Sequence, residues 1–339
     1  MSNLQMSTIN DDSVLIFGPL IGATCTEILS GVFTNFKIFP PNIKRQGMDP
    51  RELNNLSKNI GLQSFMELTS LPCLVAHASN LTDILAMYKA PDILTLSHAI
   101  VNDLDHYFSN LWLQTDNSVT INRLYIFIKN DWNCGPIQIR YSNSFGNFAS
   151  VILESHHVIQ MNKQYEQMSR IFSESDFKSS VQFMNRLDGY GKHESLTTLG
   201  PDQYYNYPGI YRATVLLKHA RANSFLPIKA TFYAMVLESL LLTRGKPNIK
   251  DNVSKRTAKF IADDDSKKKE IISIIRKLYD ERSDFVHGTN IDIDVIELGN
   301  RLSLVDNFIR RIIRKILSND NLLELFNKKP QPHFENYFR

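Results

Sequence analysis

The chain is poor in cysteine, nearly balanced in charge, and lacks both a charged leader and a long unbroken apolar run. Only Cys25, Cys73 and Cys134 occur in 339 residues. Three scattered thiols speak against a disulfide framework and for a reducing compartment. Cys73 and His77, in CLVAH, have the spacing of two ligands on a helix turn, but no second Cys/His pair completes a tetrahedral set. A buried, apolar Cys73 is the expectation, with no metal and no cofactor. A net charge of +3 does not dictate a polyanionic partner. The most apolar early stretch, residues 13–33, follows Asp11 and Asp12, has no Lys or Arg before Lys37, and carries Glu27 and three glycines. It lacks the positive flank of a secretory signal and is too interrupted for a spanning helix. No lipidation signal is visible, and a cytoplasmic location is expected. Familiar catalytic signatures are missing too. Gly18, Gly22 and Gly31 make no phosphate loop, because no Lys-Ser/Thr follows at the required place. No G-x-S-x-G or H-E-x-x-H occurs. The neighbours His156 and His157 would point apart on a strand, which argues against a joint role. No internal repeat and no low-complexity tract is found.

What is present is an ordinary globular composition, 43% apolar and 22% charged, in a chain long enough for two domains or one large one. Short β-branched and aromatic runs (SVLIFGPL, GVFTNFKIF, SFMELTS) between residues 13 and 75 are broken by Gly, Pro and Asn and read as strands. Residues 92–112 read as a helix, with Ile93, Leu96, Ile100, Leu104, Tyr107, Phe108 and Leu111 spaced by threes and fours. INRLYIFIKN, PIQIRYSN and FASVILES read as three more strands, with Asn and Gly turn chemistry beside them. Residues 1–155 are thus expected to form a strand-rich domain of unassigned role. Residues 156–207 form a helix, HHVIQMNKQYEQMSRIF, and then a Gly/Tyr/Asn/Pro-rich linker. Residues 208–328 form an all-α bundle, with helical periods at 210–222, 228–243, 252–263, 267–287, 294–318 and 320–328. The fold class is α+β, a mixed strand-dominated domain followed by a helical bundle.

The longest of these periods, DSKKKEIISIIRKLYDERSDFVHG, holds the most informative residues. Ile271, Ile275, Leu278, Arg282 and Phe285 lie along one stripe, with Ile272, Tyr279 and Val286 beside it. That places Arg282 near the buried face, where a lone charge is costly and needs a counter-charge, a phosphate or a second subunit. His287 follows five residues later, about 140° around the axis. Gly288 is expected as a left-handed cap, so His287 sits in the last turn, where the helix dipole favours imidazolium and a proton is readily exchanged near neutrality. Chance alone would supply about 0.45 Arg-x4-His pairs in such a composition, so the pair needs context. Arg212 and His219, two turns apart on one face, are a decoy of this kind. Glu238 lies in the very apolar MVLESL and calls for a cation, with Arg282 and Arg256 as candidates. From Arg244 onward there are 20 Lys+Arg against 15 Asp+Glu, and the strip Arg310, Arg311, Arg314 and Lys315 is either a solvated helix face or a contact to an RNA backbone.

The context comes from the succession YRATVLLKHARANSFLPIKATFYAMVLESLLL, SKRTAKFIA and IIRKLYDERSDFVHG, which resembles the Apea-like branch of the HEPN superfamily in order and spacing over about residues 208–318. RSDFVHG is the most specific part. The resemblance implies a helical bundle that dimerises so that two Arg-x4–6-His motifs face each other in a cleft. It also implies a metal-independent endoribonuclease of anti-phage, toxin or abortive-infection systems. On this resemblance Arg282 and His287 are the catalytic pair, with RNA (tRNA or another cellular RNA) as substrate and a second copy of the chain as partner. A phage-derived trigger or regulator would act at the N-terminal domain. Ser283 stands directly after the arginine, where many active members carry Asn, Asp or His, and Asp284 comes next; these two, with Glu238 and Arg256, are the auxiliary residues. The chemistry suits the residue types: His287 as general acid or base, Arg282 as a fork for phosphate oxygens. The alternative is an inactive HEPN protein that binds RNA or acts as a scaffold, its motif building only the dimer interface. A toxin controlled by a nucleotidyltransferase is disfavoured, because such toxins carry a tyrosine where Thr289 stands.

Overall fold

A computed structural model describes residues 14–32, 36–41, 57–78, 80–128, 131–135, 137–172, 209–243, 245–288, 294–329 and 332–339. The chain divides into two compact units, one of residues 1–141 and 148–165, the other of residues 142–147 and 166–339. The expected boundary at 155 therefore falls inside the first unit, and six residues ahead of it belong with the helices.

The first unit is built on an antiparallel sheet in the order β3–β4–β5–β1–β7–β8, with β6 also pairing β1. Its strands are β1 (Val14–Ile21), β3 (Leu29–Val32), β4 (Phe36–Phe39), β5 (Cys73–Ala78), β6 (Thr120–Ile121), β7 (Tyr125–Ile128) and β8 (Asp131–Cys134). A separate parallel pair joins β2 (Ala23–Thr24) to β9 (Val151–Ile152). Alternation along the strands fixes two faces. Val14, Ile16, Ile38, Leu74, Ala76, Ile126 and Ile128 pack against Leu96, Ile100, Leu104 and Phe108. These last belong to α3 (Ile93–Gln114), the helix expected at 92–112. Phe17, Phe39, Cys73, Val75 and Tyr125 face the other way, onto Leu68 of α1 (Leu62–Ser70). The remaining helices are α2 (Leu81–Tyr88) and α4 (Ser155–Phe172), of which residues 155–165 belong to this unit.

Three readings need correcting here. SFMELTS is helical, inside α1, where Leu68 packs against Phe39, Cys73, Val75 and Tyr125 of the sheet and Thr69 is buried next to it. PIQIRYSN forms no strand among its described residues, with Ile137 and Ile139 both 65% exposed. Cys73 and His77 lie on β5, where four residues span roughly 13 Å, too far to share a metal; Cys73 is buried as expected and His77 is exposed. The loop expected at 188–209 lies outside the described residues up to 208.

The second unit is helical: α5 (Gly209–Ala222), α6 (Leu226–Leu241), α7 (Ile249–Ile261), α8 (Asp265–His287), α9 (Val295–Leu317), α10 (Asp320–Lys328) and α11 (His333–Tyr337). The first six fall on the expected periods; α11 lies beyond the expected end at 328. Helix α6 is apolar all round and buries Leu226, Ala230, Tyr233, Ala234, Val236, Leu237, Leu240 and Leu241. A helix of that kind belongs in the middle, and α6 touches α5, α7, α8 and α9. Residues 142–147 dock on the α5–α6 corner. Ser142 donates its N–H to Arg221 O (2.8 Å) and its hydroxyl to Asn223 O (2.8 Å). The fully buried Lys229 donates to Ser142 Oγ (3.2 Å) and Ala220 O (2.8 Å). Phe145 lies on Gly299 of α9, where any Cβ would stand 2.6 Å from the ring.

Gly146 has φ +76°, and a Cβ there would lie 2.2 Å from Ser224 O. Gly288 has φ +66° with open space around it. Gly288→Ala should therefore cost about 1–2 kcal/mol of backbone strain alone, whereas Gly146→Ala adds a clash and should lower stability clearly further. Equilibrium denaturation of the two variants checks the order; equal losses would show that the 142–147 turn is not held as described.

Candidate functional site

Helix α8 starts at a capped end, Asp264 accepting from Lys267 N–H at 2.7 Å. Ile271, Ile275, Leu278 and Tyr279 are buried, each large aliphatic contributing about 1.5–3 kcal/mol. The stripe fades towards the C-terminus: Phe285 is half-buried against Phe225 (ring centroids 5.8 Å), and Val286, expected beside the stripe, is 57% exposed. Gly288 closes the helix in the left-handed region, its N–H directed at Asp284 O and Phe285 O, as its sequence position suggested.

Arg282 is half-buried, not buried. Its Nη1 lies 3.6 Å from Glu238 Oε1 on α6, the side chains being 34% and 25% exposed. At that distance and exposure the pair adds on the order of 0–1 kcal/mol. The same carboxylate oxygen accepts a hydrogen bond from Tyr279 Oη (3.0 Å). Burial first, then the charge of Glu238, pushes the Tyr279 phenol well above the ordinary tyrosine range, so it remains a donor. Arg282 Nε is buried without a hydrogen-bond partner, and its Cζ stands 6.0 Å from the Tyr279 ring centre. That buried Nε is out of reach of a ligand, but a guanidinium whose side chain is one-third exposed and held by one weak ion pair has capacity left for an anion. His287, Ser283 and Asp284 are exposed, and His287 has no hydrogen bond or ion pair with a described residue. Thr289 lies outside the described residues.

Glu238 thus takes Arg282, and Arg256 is elsewhere. Its fork grips Glu335 of α11 (Nη1–Oε1 3.2 Å, Nη2–Oε2 2.5 Å) and donates to Leu241 O (2.8 Å), with Phe338 stacked at 5.0 Å. Lys329, from beyond α10, donates to Leu242 O (2.7 Å) and to Ser239 O at the same helix end. Arg256 is therefore a strut that fastens the last residues over the end of α6, far in sequence from anything a local reading connects. The signal for it was HFENYFR, an acidic residue among aromatics. The basic strip also divides, because the side chains on one helix find different partners: Arg310 pairs with Asp306, Arg311 and Lys315 with carbonyls of α7, and Arg314 with none of these. The decoy His219 is stacked on Phe232 (5.5 Å). Sequence reading placed Tyr279 beside the stripe but missed its hydrogen bond to Glu238, and also the buried pair of Glu281 with Arg301 on α9, one residue before Arg282.

In the other unit, His156 and His157 do not point apart. They begin α4, with ring centroids 3.9 Å apart, and Glu154, His156 and His157 bring ligand atoms within 4.8 Å of one another. His157 Nδ1, however, accepts Glu154 N–H (3.2 Å), and the positive end of the α4 dipole opposes a cation. Burial, then His156, holds the His157 imidazole below its ordinary value.

No family model, no curated protein and no solved structure matches this chain. Among the described residues, no helix is long and apolar enough to cross a membrane.

Glu335 gives the helical unit a definite acid response. Burial raises its pKa, but hydrogen bonds from Arg256, Lys246 and Thr243 outweigh that and bring the carboxyl from 4.5 to about 2. Its stabilising share is complete above pH 4.5 and disappears as pH falls towards 2, on the order of 3 kcal/mol. Glu335→Gln should be less stable near neutrality and should lose less stability between pH 5 and 3 than the parent, read by urea denaturation across that range. Parallel curves for the two proteins would remove Glu335 from the account.

Proposed function

We propose that the helical unit is a metal-independent endoribonuclease of the HEPN type, with Arg282 and His287 as its catalytic pair. What carries the reading is the end of α8: a half-buried arginine held by one weak ion pair to Glu238, which Tyr279 steadies, and a histidine in an exposed, capped last turn that makes no hydrogen bond or ion pair with a described residue. The resemblance of RSDFVHG and its preceding helices to the Apea-like branch supports it. Cleavage would run through the RNA's own 2′-hydroxyl. One imidazole takes the hydroxyl proton, the hydroxyl oxygen attacks phosphorus, and a second, protonated imidazole hands a proton to the departing 5′-oxygen. Arg282 places its fork on the non-bridging oxygens as charge develops there. About 140° around the axis and ~7.5 Å along it separate Arg282 from His287 within one helix, so one chain presents them in different directions. Two copies with their α8 ends together supply both imidazoles, and a homodimer belongs to the proposal. The sheet unit then senses a trigger or restrains cutting, as suits a role in bacterial anti-phage defence by abortive infection.

Purified wild type should cut tRNA or total RNA in EDTA, and Arg282→Ala and His287→Ala should each lower the rate by at least ~10²-fold, the ordinary worth of a general acid or base. Cutting that survives both substitutions contradicts the assignment. If wild type leaves RNA intact and the two variants only weaken self-association, the motif builds an interface and the scaffold reading replaces this one.

A further inference from the structure

The four basic residues near the end of α9 have unequal freedom. Arg310 is turned inward, its Nε 3.1 Å from the fully buried Asp306 Oδ2. Arg311 Nη2 donates to Ile261 O and Lys315 Nζ to Phe260 O, both at 2.6 Å, where the last turn of α7 leaves carbonyls without helical partners. Arg314 is exposed and makes neither an ion pair nor a side-chain hydrogen bond with a described residue. Between α9 and the end of α7 opens a cavity of about 310 Å³, lined by residues 260–263 and by Arg311, Arg314 and Lys315. Three cations meet a single carboxylate there, Asp263, which is 86% exposed and 3.5 Å from Arg311 Nη2. Partial desolvation beside the pocket, and then the charges of Arg310 and Arg311, lowers Arg314's hold on its proton although the residue as a whole is exposed. The protein has gathered like charge around a space and supplies little to neutralise it.

We propose that this pocket seats a phosphate of an RNA backbone, Arg314 contributing the fork that the fold leaves unused and Arg311 and Lys315 the surrounding field. A guanidinium matches two non-bridging oxygens. The one aromatic ring in the lining, Phe260, is only 2% exposed and lies under Lys315 (4.7 Å), so no base can stack on it. Binding is therefore to the backbone and indifferent to sequence. The pocket is separate from Arg282 and His287, and its binding can be measured without any cleavage.

The test is fluorescence anisotropy of a labelled, mixed-sequence single-stranded RNA on full-length His287→Ala protein, in EDTA, over a series of KCl concentrations. Arg314→Ala in that background should weaken binding roughly 3- to 10-fold and reduce the salt slope by about 0.7, one single-strand phosphate contact. Arg314→Lys should keep the slope while losing part of the affinity. Lys255→Ala, the same loss of charge on α7 from a residue 63% exposed, should leave both unchanged. Equal effects of Arg314→Ala and Lys255→Ala would overturn the proposal. So would loss of inorganic phosphate binding with RNA binding intact, which would make the pocket a site for a small anion. If wild type proves unable to cut RNA, the nuclease reading fails while these measurements stand as they are.

Discussion

Glu281 reaches Arg301 on α9 while the next residue, Arg282, reaches Glu238 on α6. Successive residues of a helix point about 100° apart, so two such attachments to two different neighbours fix the rotation of α8 about its axis. They are unequal in strength. Glu281 and Arg301 are about nine-tenths buried, and removing Arg301 would strand Glu281 at a cost of roughly 3–5 kcal/mol, whereas Arg301 also has Glu297 at 2.7 Å. The Arg282 pair is half in solvent and contributes far less. The strong pair thus holds the helix, and the weak pair leaves Arg282 positioned yet available. From that fixed rotation, His287 emerges on the exposed side of the last turn.

The apolar surroundings of α6 explain the rest of the arrangement. A carboxylate on so greasy a helix is tolerated at Glu238 only because Tyr279 donates to it and Arg282 stands near. The same C-terminal end of α6, just beyond Glu238, is closed by chain far away in sequence, through Arg256, Lys329 and Glu335. Arg256 and Arg282 therefore occupy neighbouring helices and differ in how completely their donors are used.

Much of this was legible from residues alone. The helical periods of the second unit, the Gly288 cap and the encounter of Glu238 with a nearby arginine all follow from spacing and from the cost of burying charge. What was not legible depended on distance in the chain or on context. SFMELTS is short enough to suit either periodicity, and only the sheet it covers makes it a helix. The choice between Arg282 and Arg256 for Glu238 turned on Glu335, which lies 79 residues from Arg256. Residues 142–147 carry no local mark of packing with helices that begin more than sixty positions later. The strip on α9 looked uniform because a sequence shows which charges are present and not which carbonyls they meet.

The cleavage proposed for Arg282 and His287 is in-line attack by a neighbouring hydroxyl, a route that leaves a signature in its products. The most direct measurement is the end-group chemistry of RNA incubated with the purified full-length protein in EDTA. Wild type should leave 2′,3′-cyclic phosphate on the upstream fragment and a 5′-hydroxyl on the downstream one, and Arg282→Ala and His287→Ala should not. Fragments ending in 3′-hydroxyl and 5′-phosphate, or RNA left whole, would contradict it.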